Sequence, residues 1–226
     1  MVQEGPVRAV VLLSGGLDST TVLAKALDEG CEVVALSFRY GQRHSRELDS
    51  AKAVAEHYGT RHVVVDIDLS MFRSALTDPD IDVPEGREKI GSDIPDTYVP
   101  ARNIIMLSVA AGLCESLDAD RIYIGANVVD YSGYPDCRPQ FFEAFRKMLS
   151  VGTKAGTEGR PIRIETPILS KSKAEIVKLG KDLGAPLHLT WSCYEGGEKA
   201  CGRCDSCILR LRGFEEAGFR DEIEYE

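Results

Sequence analysis

The chain of 226 residues lacks both a long hydrophobic run and an excess of positive charge. Charged residues interrupt every apolar stretch, and none approaches the ~18 residues that a membrane-spanning helix needs. The N-terminal residues have neither the basic nor the apolar segment of a secretory signal, so we expect a cytoplasmic protein without membrane contact. Lys and Arg total 27 against 36 Asp and Glu, which gives a formal net charge of -9. This balance disfavours binding along a nucleic-acid backbone, although one small anionic ligand can still be held locally.

The sequence also lacks the features of a disulfide framework, because its seven cysteines are an odd number in a chain without a secretory signal. Four of them fall within fifteen residues: Cys193, Cys201, Cys204 and Cys207. Four thiolates this close can form a closed tetrahedral site for one structural Zn²⁺. An iron–sulfur cluster is the competing interpretation, but its usual pattern places the fourth cysteine downstream, before a proline. Cys31 and Cys114 lie in apolar patterns and are expected in the core. Cys137 is either a nucleophile or a packed thiol, and the lack of a partner histidine nearby favours the packed thiol.

Aliphatic segments alternate with helical patterns along most of the chain. We predict strands over residues 7–13, 32–38, 61–67, 121–126 and 162–165, and helices over residues 19–30, 46–58, 102–117, 140–149, 172–184 and 208–217. Strands separated by helices of this length imply crossover connections and a parallel sheet. Residues 77–100 are expected to form a long loop. The predicted fold is α/β, with a parallel-sheet domain over residues 1–187 and a zinc-binding module with a C-terminal helix over residues 188–226.

A glycine-rich turn, SGGLDST at residues 14–20, joins the first predicted strand to the first helix. Gly15 and Gly16 allow a tight turn that presents backbone N–H groups. Hydroxyl groups and the start of a helix favour an anion at this point. The spacing matches neither the P-loop of nucleoside triphosphatases nor the dinucleotide-binding fingerprint. A structural turn capped by serine is possible, but the strand–turn–helix context favours pyrophosphate binding, with Asp18 as either a magnesium-related carboxylate or a helix cap.

Further polar segments follow other predicted strands, where open α/β sheets place their ligands. Arg43, His44 and Arg46 either hold phosphate or substrate, or form a solvated first turn of a helix. Arg102 begins a helix, where its charge opposes the helix dipole and so indicates a nearby anion. Lys173 either contacts pyrophosphate or is a surface lysine. The loop after the fourth strand contains polar groups suited to a flat heterocycle: Asp130, Ser132, Tyr134, Asp136 and Arg138.

The turn SGGLDST resembles the SGGxDS signature of the PP-loop ATP pyrophosphatase superfamily. Together with YGQRHSREL, VPARN, YPDCRPQF and TWSCYEGGEKACGRCDSCILRLRGF, it is similar to the 7-cyano-7-deazaguanine synthase family of deazapurine (queuosine or archaeosine) biosynthesis. These segments extend from residue 14 to residue 214, so the resemblance covers nearly the whole chain.

The resemblance implies an ATP-dependent ligase with 7-carboxy-7-deazaguanine as its substrate. ATP, bound with Mg²⁺, adenylates the carboxylate, ammonia displaces AMP to give an amide, and a second activation dehydrates the amide to the nitrile. No glutaminase module is visible, so free ammonia is the expected nitrogen donor. We expect catalytic roles for Asp18, Arg102 and Lys173, and substrate contacts from Arg43, Asp130, Tyr134, Asp136 and Arg138. The expected ATP site is Leu13, Ser14, Gly15, Gly16, Leu17, Asp18, Ser19, Thr20 and Thr21.

Two other functions stay open at this point. Other PP-loop proteins modify tRNA directly by thiolation or lysine addition, but the net charge of -9 disfavours a tRNA-binding surface. A zinc-dependent nucleic-acid-binding regulator would need a basic patch around the cysteines, where Glu195, Glu198 and Asp205 lie beside Lys199 and Arg203. We therefore expect small-molecule partners and no direct nucleic-acid contact. The sequence leaves the oligomeric state open, with a homodimer as one option.

Overall fold

The computed structural model describes residues 6–78, 80–82, 94–129 and 133–226. Its strands are β1 (Arg8–Leu12), β2 (Glu32–Arg39), β3 (Arg61–Asp66), β4 (Arg121–Tyr123) and β5 (Arg163–Glu165). They form one five-stranded sheet in the order β3-β2-β1-β4-β5. Every neighbouring pair is parallel, which confirms the α/β class and the parallel sheet expected from the sequence.

The helices lie on both faces of this sheet. They are α1 (Leu17–Asp28), α2 (Arg46–Tyr58), α3 (Arg102–Ser116), α4 (Pro139–Gly152), α5 (Lys154–Thr157), α6 (Lys173–Asp182) and α7 (Asp205–Ala217). Short 3₁₀ turns occur at Pro135–Cys137 and Leu187–Leu189. No helix in the described part of the chain is both long and apolar enough to span a membrane.

Alternate residues of β1 enter two different apolar layers, as the two-residue repeat of a strand requires. Ala9 and Val11 pack in the layer that includes buried residues of α1, α2, α6 and α7. Val10 and Leu12 pack in the layer that includes buried residues of α3 and α4. Cys31 is buried in the first layer and Cys114 in the second, so both are core thiols as expected.

Several element boundaries differ from those expected. Helix α1 begins at Leu17, two residues earlier than predicted, because the chain enters the helix directly from Gly16. Strand β4 ends at Tyr123 and not at residue 126, since it pairs with only three residues of β5. Helix α7 begins at Asp205 and not at residue 208, because Cys204 occupies its N-cap position. In α6, Ser172 and Glu175 form the capping box that their spacing predicts.

The C-terminal part of the chain is joined to the sheet domain through α7. This helix packs against α6, and its Phe214 is buried in the layer that also contains α1. A separate small core contains Trp191, Ala200 and the four clustered cysteines. The division of the chain at residue 187 stays a prediction.

Candidate active site and four-cysteine cluster

The sheet order places a cleft beside the glycine-rich turn. Strands β2 and β3 lie on one side of β1, and β4 and β5 lie on the other. Open α/β sheets bind ligands at such a switch point, beyond the carboxyl ends of the strands. A cleft of about 280 Å³ lies there, with walls from the segments after β1, β2 and β4, from the starts of α3 and α6, and from the C-terminal part of the chain.

The turn between β1 and α1 requires glycine at Gly15. Its φ angle is +86°, and a Cβ atom there would lie 2.1 Å from the backbone oxygen of Glu47. Only a residue without a side chain therefore allows α2 to approach this closely. The hydroxyls hold the turn together, since Ser14 N donates to Ser19 Oγ at 3.1 Å and Gly16 N donates to Ser14 Oγ at 3.3 Å. No side chain caps α1 at Gly16, so the positive end of the helix is available to an anion in the cleft.

An ion pair joins this turn to α6. Lys173 Nζ lies 2.8 Å from both carboxylate oxygens of Asp18, and the exposed fractions of the two side chains are 10% and 19%. Asp18 therefore does not cap α1, because the N-cap position belongs to Gly16. Lys173 is not a surface lysine either, because its amine is held inside the cleft.

Arg102 enters the cleft from the start of α3. The preceding Ala101 has a φ angle of 56°, a left-handed conformation that is uncommon for a residue with a side chain. Arg102 Nη1 lies 3.5 Å from the Tyr40 hydroxyl, and its guanidinium lies 5.9 Å from the centre of the Tyr40 ring. Burial lowers the pKa of Arg102, but Tyr40, Tyr134 and Asp136 together raise it above its ordinary value, so the guanidinium remains charged.

The residues expected to bind substrate are placed in different surroundings. Arg43 lines the cleft and donates to the backbone oxygens of Asp78, at 3.2 Å, and Ile81. Tyr134 also lines the cleft and shares a 2.6 Å hydrogen bond with Thr97 Oγ1. Arg138 is exposed, precedes α4 and is not among the residues that line the cleft.

Asp136 is buried behind the cleft, where its carboxylate accepts a hydrogen bond from the backbone N–H of Asn103 at 3.1 Å. Its structural role is therefore to satisfy the start of α3. Asp130 and Ser132 lie outside the described residues.

The expected ATP residues divide into two groups. Leu13, Ser14, Gly16, Leu17, Asp18 and Ser19 line the cleft. Gly15, Thr20 and Thr21 are not among the lining residues: the Gly15 carbonyl accepts from Trp191 N at 2.9 Å, and the Thr21 hydroxyl donates to the Leu17 carbonyl at 2.9 Å. Thr20 is fully buried behind the turn.

Sequence patterns did not point to several residues of the cleft wall. Glu47, Trp191, Ser192 and Arg210 all line it. The motif YGQRHSREL contains Glu47, but its basic residues alone suggested a ligand site. Arg210 had a recognisable signal, because it falls on the helical face that carries Cys207 and Phe214, where a buried residue is expected.

The four clustered cysteines have the arrangement of a metal site. Their Sγ atoms all lie within 4.8 Å of one another, and all four residues are buried. A tetrahedral zinc with Zn–S bonds of ~2.3 Å would place its sulfurs about 3.8 Å apart, and Cys201 Sγ lies 4.0 Å from Cys207 Sγ. Backbone N–H groups of Cys201 and Cys204 donate to Sγ atoms within the cluster at 3.3 Å, which suits thiolate ligands. The residues present therefore fit one tetrahedral metal ion.

The cluster also contacts the cleft wall. The carbonyl oxygen of Cys193 accepts hydrogen bonds from Trp191 Nε1 at 3.0 Å and from His44 Nε2 at 3.1 Å. The guanidinium of Arg46 stacks over the Trp191 ring at 4.6 Å. His44 and Arg46 therefore contact the C-terminal segment, while Arg46 is also exposed at the start of α2.

Comparison with known proteins assigns the family. A family profile described as "Queuosine biosynthesis protein QueC" matches residues 8–218. The chain is 60% identical over 219 residues to the 7-cyano-7-deazaguanine synthase of Acetivibrio thermocellus, covering 96% of this chain and 97% of that protein. It is 56% identical to the enzyme of the same name from Thermoplasma acidophilum, covering 97% and 92% of the two chains.

The solved structure of NMN synthetase from Francisella tularensis is similar to this chain, with 13% sequence identity and a TM-score of 0.49. The similarity covers 95% of this chain and 78% of that one, and it is too low to bear on function. The family match and the identities across nearly the full length lead to one conclusion. The chain belongs to the QueC family of queuosine biosynthesis proteins.

Proposed function

We propose that this protein is an ATP-dependent ligase that converts 7-carboxy-7-deazaguanine and ammonia to 7-cyano-7-deazaguanine, with release of AMP and pyrophosphate. The observation that carries this function is membership of the QueC family, with relatives named 7-cyano-7-deazaguanine synthase along almost the entire chain. Direct modification of tRNA and nucleic-acid-dependent regulation are not favoured. The site supplies what adenylation needs, because an uncapped helix N-terminus and several cationic side chains line one cleft.

The triphosphate of ATP binds at the turn formed by Ser14, Gly16 and Ser19, where the start of α1 favours negative charge. Lys173 stabilises the leaving pyrophosphate, and Arg102 orients the reacting carboxylate. Mg²⁺ would be held through Asp18 and would supply positive charge to the phosphates. A carboxylate is a poor electrophile, and the acyl adenylate provides a better leaving group.

The reaction needs no covalent intermediate with the protein. Cys137 lines the cleft, but burial raises the pKa of this thiol to about 12. At neutral pH it is therefore protonated and a weak nucleophile. This agrees with direct attack of ammonia on the adenylate.

Incubation with 7-carboxy-7-deazaguanine, ATP and ammonium is expected to release AMP and form the nitrile, both measurable by chromatography. Unmodified tRNA serves as the control substrate and is expected to give no AMP. AMP release with tRNA, together with none with the deazapurine, would assign the protein to direct tRNA modification.

The cysteine cluster is proposed to hold one structural Zn²⁺ through Cys193, Cys201, Cys204 and Cys207, because closed tetrahedral thiolate sites favour this ion. Cys204→Ser is expected to reduce the zinc content from one per chain to near zero and to lower the thermal unfolding midpoint. Metal analysis and calorimetry measure the two effects. Cys31→Ser, which alters a core thiol outside the cluster, should keep the zinc. Iron and a visible absorption band in the purified protein would contradict the zinc assignment.

The cytoplasmic location, the homodimer, the lack of direct nucleic-acid contact and the use of Mg²⁺ stay predictions. The residues assigned to ATP and substrate above are proposals of the same kind.

A further inference from the structure

More cationic than anionic side chains line the cleft. Among the described residues that line it, the cationic side chains are Arg43, Arg102, Lys173 and Arg210, whereas the carboxylates are Asp18 and Glu47. Cationic side chains suit ATP and a carboxylate substrate. The third substrate of the proposed ligase, ammonia, is mostly the ammonium cation at neutral pH. An ammonium ion needs a negative side chain to bind to and a base to remove its proton before the nitrogen can attack.

Asp18 is already assigned to other cations, because both of its oxygens accept hydrogen bonds from Lys173 and the same carboxylate is the one proposed to hold Mg²⁺. Glu47 differs in that the structure records no hydrogen bond or salt bridge to its carboxylate from the described part of the chain, although Arg102 acts on it electrostatically. It stands in the first turn of α2, and its own backbone oxygen lies against Gly15 of the phosphate-binding turn. The backbone of Glu47 is thus fixed against the turn proposed to bind ATP, and its side chain lines the same cleft.

His44 is the other candidate base in this wall. Its Nε2 atom donates to the Cys193 carbonyl, since a carbonyl oxygen can only accept, and this leaves the lone pair on Nδ1. The Nδ1 atom is buried without a hydrogen-bond partner in the described residues, however, and a ligand in the cleft cannot reach it. Its ring is packed against Gly196, where a Cβ atom would lie 2.3 Å from His44 Cγ. His44 therefore acts as a structural link to the cysteine cluster.

We propose that Glu47 binds the ammonium ion in the cleft and accepts its proton, an inference that rests on the ligase function proposed above. The Glu47 carboxylate takes one proton from NH₄⁺ and becomes a carboxylic acid, which leaves NH₃. The nitrogen lone pair forms the C–N bond to the acyl carbon of the adenylate. The C–O bond to AMP breaks, its electron pair leaves with AMP, and the amide nitrogen releases a second proton to solvent.

The surroundings of Glu47 favour transfer of a proton from ammonium to its carboxylate. Burial raises the pKa of Glu47 to about 7, while the charge of Arg102 acts in the opposite direction. A carboxylate with a raised pKa is a stronger base than an exposed glutamate. Titratable and charged groups line the cleft with it on every wall. They are Arg43 and His44 before α2, Tyr40 after β2, Arg102 on α3, Tyr134 and Cys137 after β4, the pair of Asp18 and Lys173, and Tyr194 and Arg210 in the C-terminal part.

The test compares two nitrogen donors in Glu47→Gln, which keeps the shape of the side chain and removes its charge. Amide and nitrile formation from ammonium is expected to fall by about 10²–10⁴-fold, the usual contribution of a general base. Hydroxylamine is largely uncharged at neutral pH and needs no base, so hydroxamate formation from it should change by less than about threefold. In the unmodified protein the rate with ammonium should rise as the pH passes through about 7, and the variant should lack this step.

Glu56→Gln is the matched control, because Glu56 is exposed on the same helix and pairs with Lys52 at 3.8 Å. It should leave both reactions unchanged. Full activity of Glu47→Gln with ammonium, or an equal loss with ammonium and hydroxylamine, would overturn the proposal, since the second result indicates a structural role. Failure of the unmodified protein to exchange pyrophosphate into ATP in the presence of 7-carboxy-7-deazaguanine would instead overturn the ligase function, and the role of Glu47 with it.

Discussion

Asp18→Asn is expected to reduce AMP formation by about 10²–10³-fold, the loss seen when one preorganised charge contact is removed from a reaction centre. Asp18 holds Lys173 through both carboxylate oxygens inside the cleft. The variant loses the negative charge proposed to bind Mg²⁺ and leaves the lysine with a weaker partner. The asparagine side chain still offers an oxygen to the Lys173 amine, so the free energy of unfolding should fall by only about 1–3 kcal/mol. AMP release and urea unfolding measure the two effects separately.

Asp28→Asn is the control for this change, because Asp28 lies at the other end of α1 and forms an exposed pair with Lys25. It should leave AMP formation unaltered. Lys173→Met should cause a loss similar to that of Asp18→Asn, and the double variant should be little worse than either single one, because residues that act as a unit have non-additive effects. Normal AMP formation in both single variants would remove the pair from the mechanism.

The ion pair also shows how far the sequence could predict the site. The glycine turn could be recognised because all of its parts lie within seven neighbouring residues, and the cysteine cluster because its ligands lie within fifteen. The two open interpretations of Asp18, a metal-related carboxylate or a helix cap, could not be separated from the sequence. The cap interpretation is excluded by Gly16 at the N-cap position. The partner of Asp18 could not be predicted either, because Lys173 is 155 residues away and reaches Asp18 only when α6 packs against α1.

Asp136 is a second residue whose contacts could not be predicted from the sequence. A polar residue in a loop at the end of a strand was expected to contact substrate, but its carboxylate satisfies the backbone N–H of Asn103, 33 residues earlier. The need arises because the first N–H groups of a helix have no partner within the helix. The pattern of side chains in the sequence does not predict which backbone N–H group needs a partner. The role of Asp136 could therefore be found only from the structure, which places the two segments together.

Contacts between residues far apart in the sequence also position the C-terminal segment in the cleft wall. Trp191 donates through its backbone to Gly15 and through its ring to the Cys193 carbonyl. The four-cysteine cluster and the glycine-rich turn are therefore joined by two hydrogen bonds from a single residue, Trp191. Loss of the proposed zinc should consequently weaken the wall of the cleft as well as the C-terminal core.

Arg210→Met is expected to lower the free energy of unfolding at neutral pH by about 3–5 kcal/mol, the usual cost of leaving one member of a buried ion pair alone. Arg210 and Asp221 are 2% and 4% exposed, and Arg210 Nε lies 2.6 Å from Asp221 Oδ2. The guanidinium also donates to Thr190 Oγ1 at 2.7 Å and to the Leu187 carbonyl at 3.1 Å. Arg210 therefore holds the chain segment that leads into Trp191, and AMP formation should fall together with stability.

The pH dependence identifies the cause of this destabilisation. Burial raises the pKa of Asp221, but hydrogen bonds and charge from Arg210, with a hydrogen bond from Tyr225, lower it below its ordinary value. The stabilisation from this pair is therefore present above the ordinary aspartate pKa and is lost as the pH falls through the lower, folded-state value. In Arg210→Met the carboxylate is buried without its cation, so its pKa should rise and its protonated form should be tolerated. The difference in unfolding free energy between the two proteins should then shrink as the pH is lowered from 7 to about 4.

The double variant Arg210→Met with Asp221→Asn separates the buried charge from the lost packing. Removing the unpaired carboxylate should recover at least half of the lost unfolding free energy, because the larger penalty comes from the isolated charge. Arg212→Met is the control on the same helix, since Arg212 is exposed, and it should change stability by less than about 0.5 kcal/mol. A loss in Arg210→Met that is independent of pH and is not recovered by the second substitution would show that Arg210 stabilises this segment through packing and not through its charge.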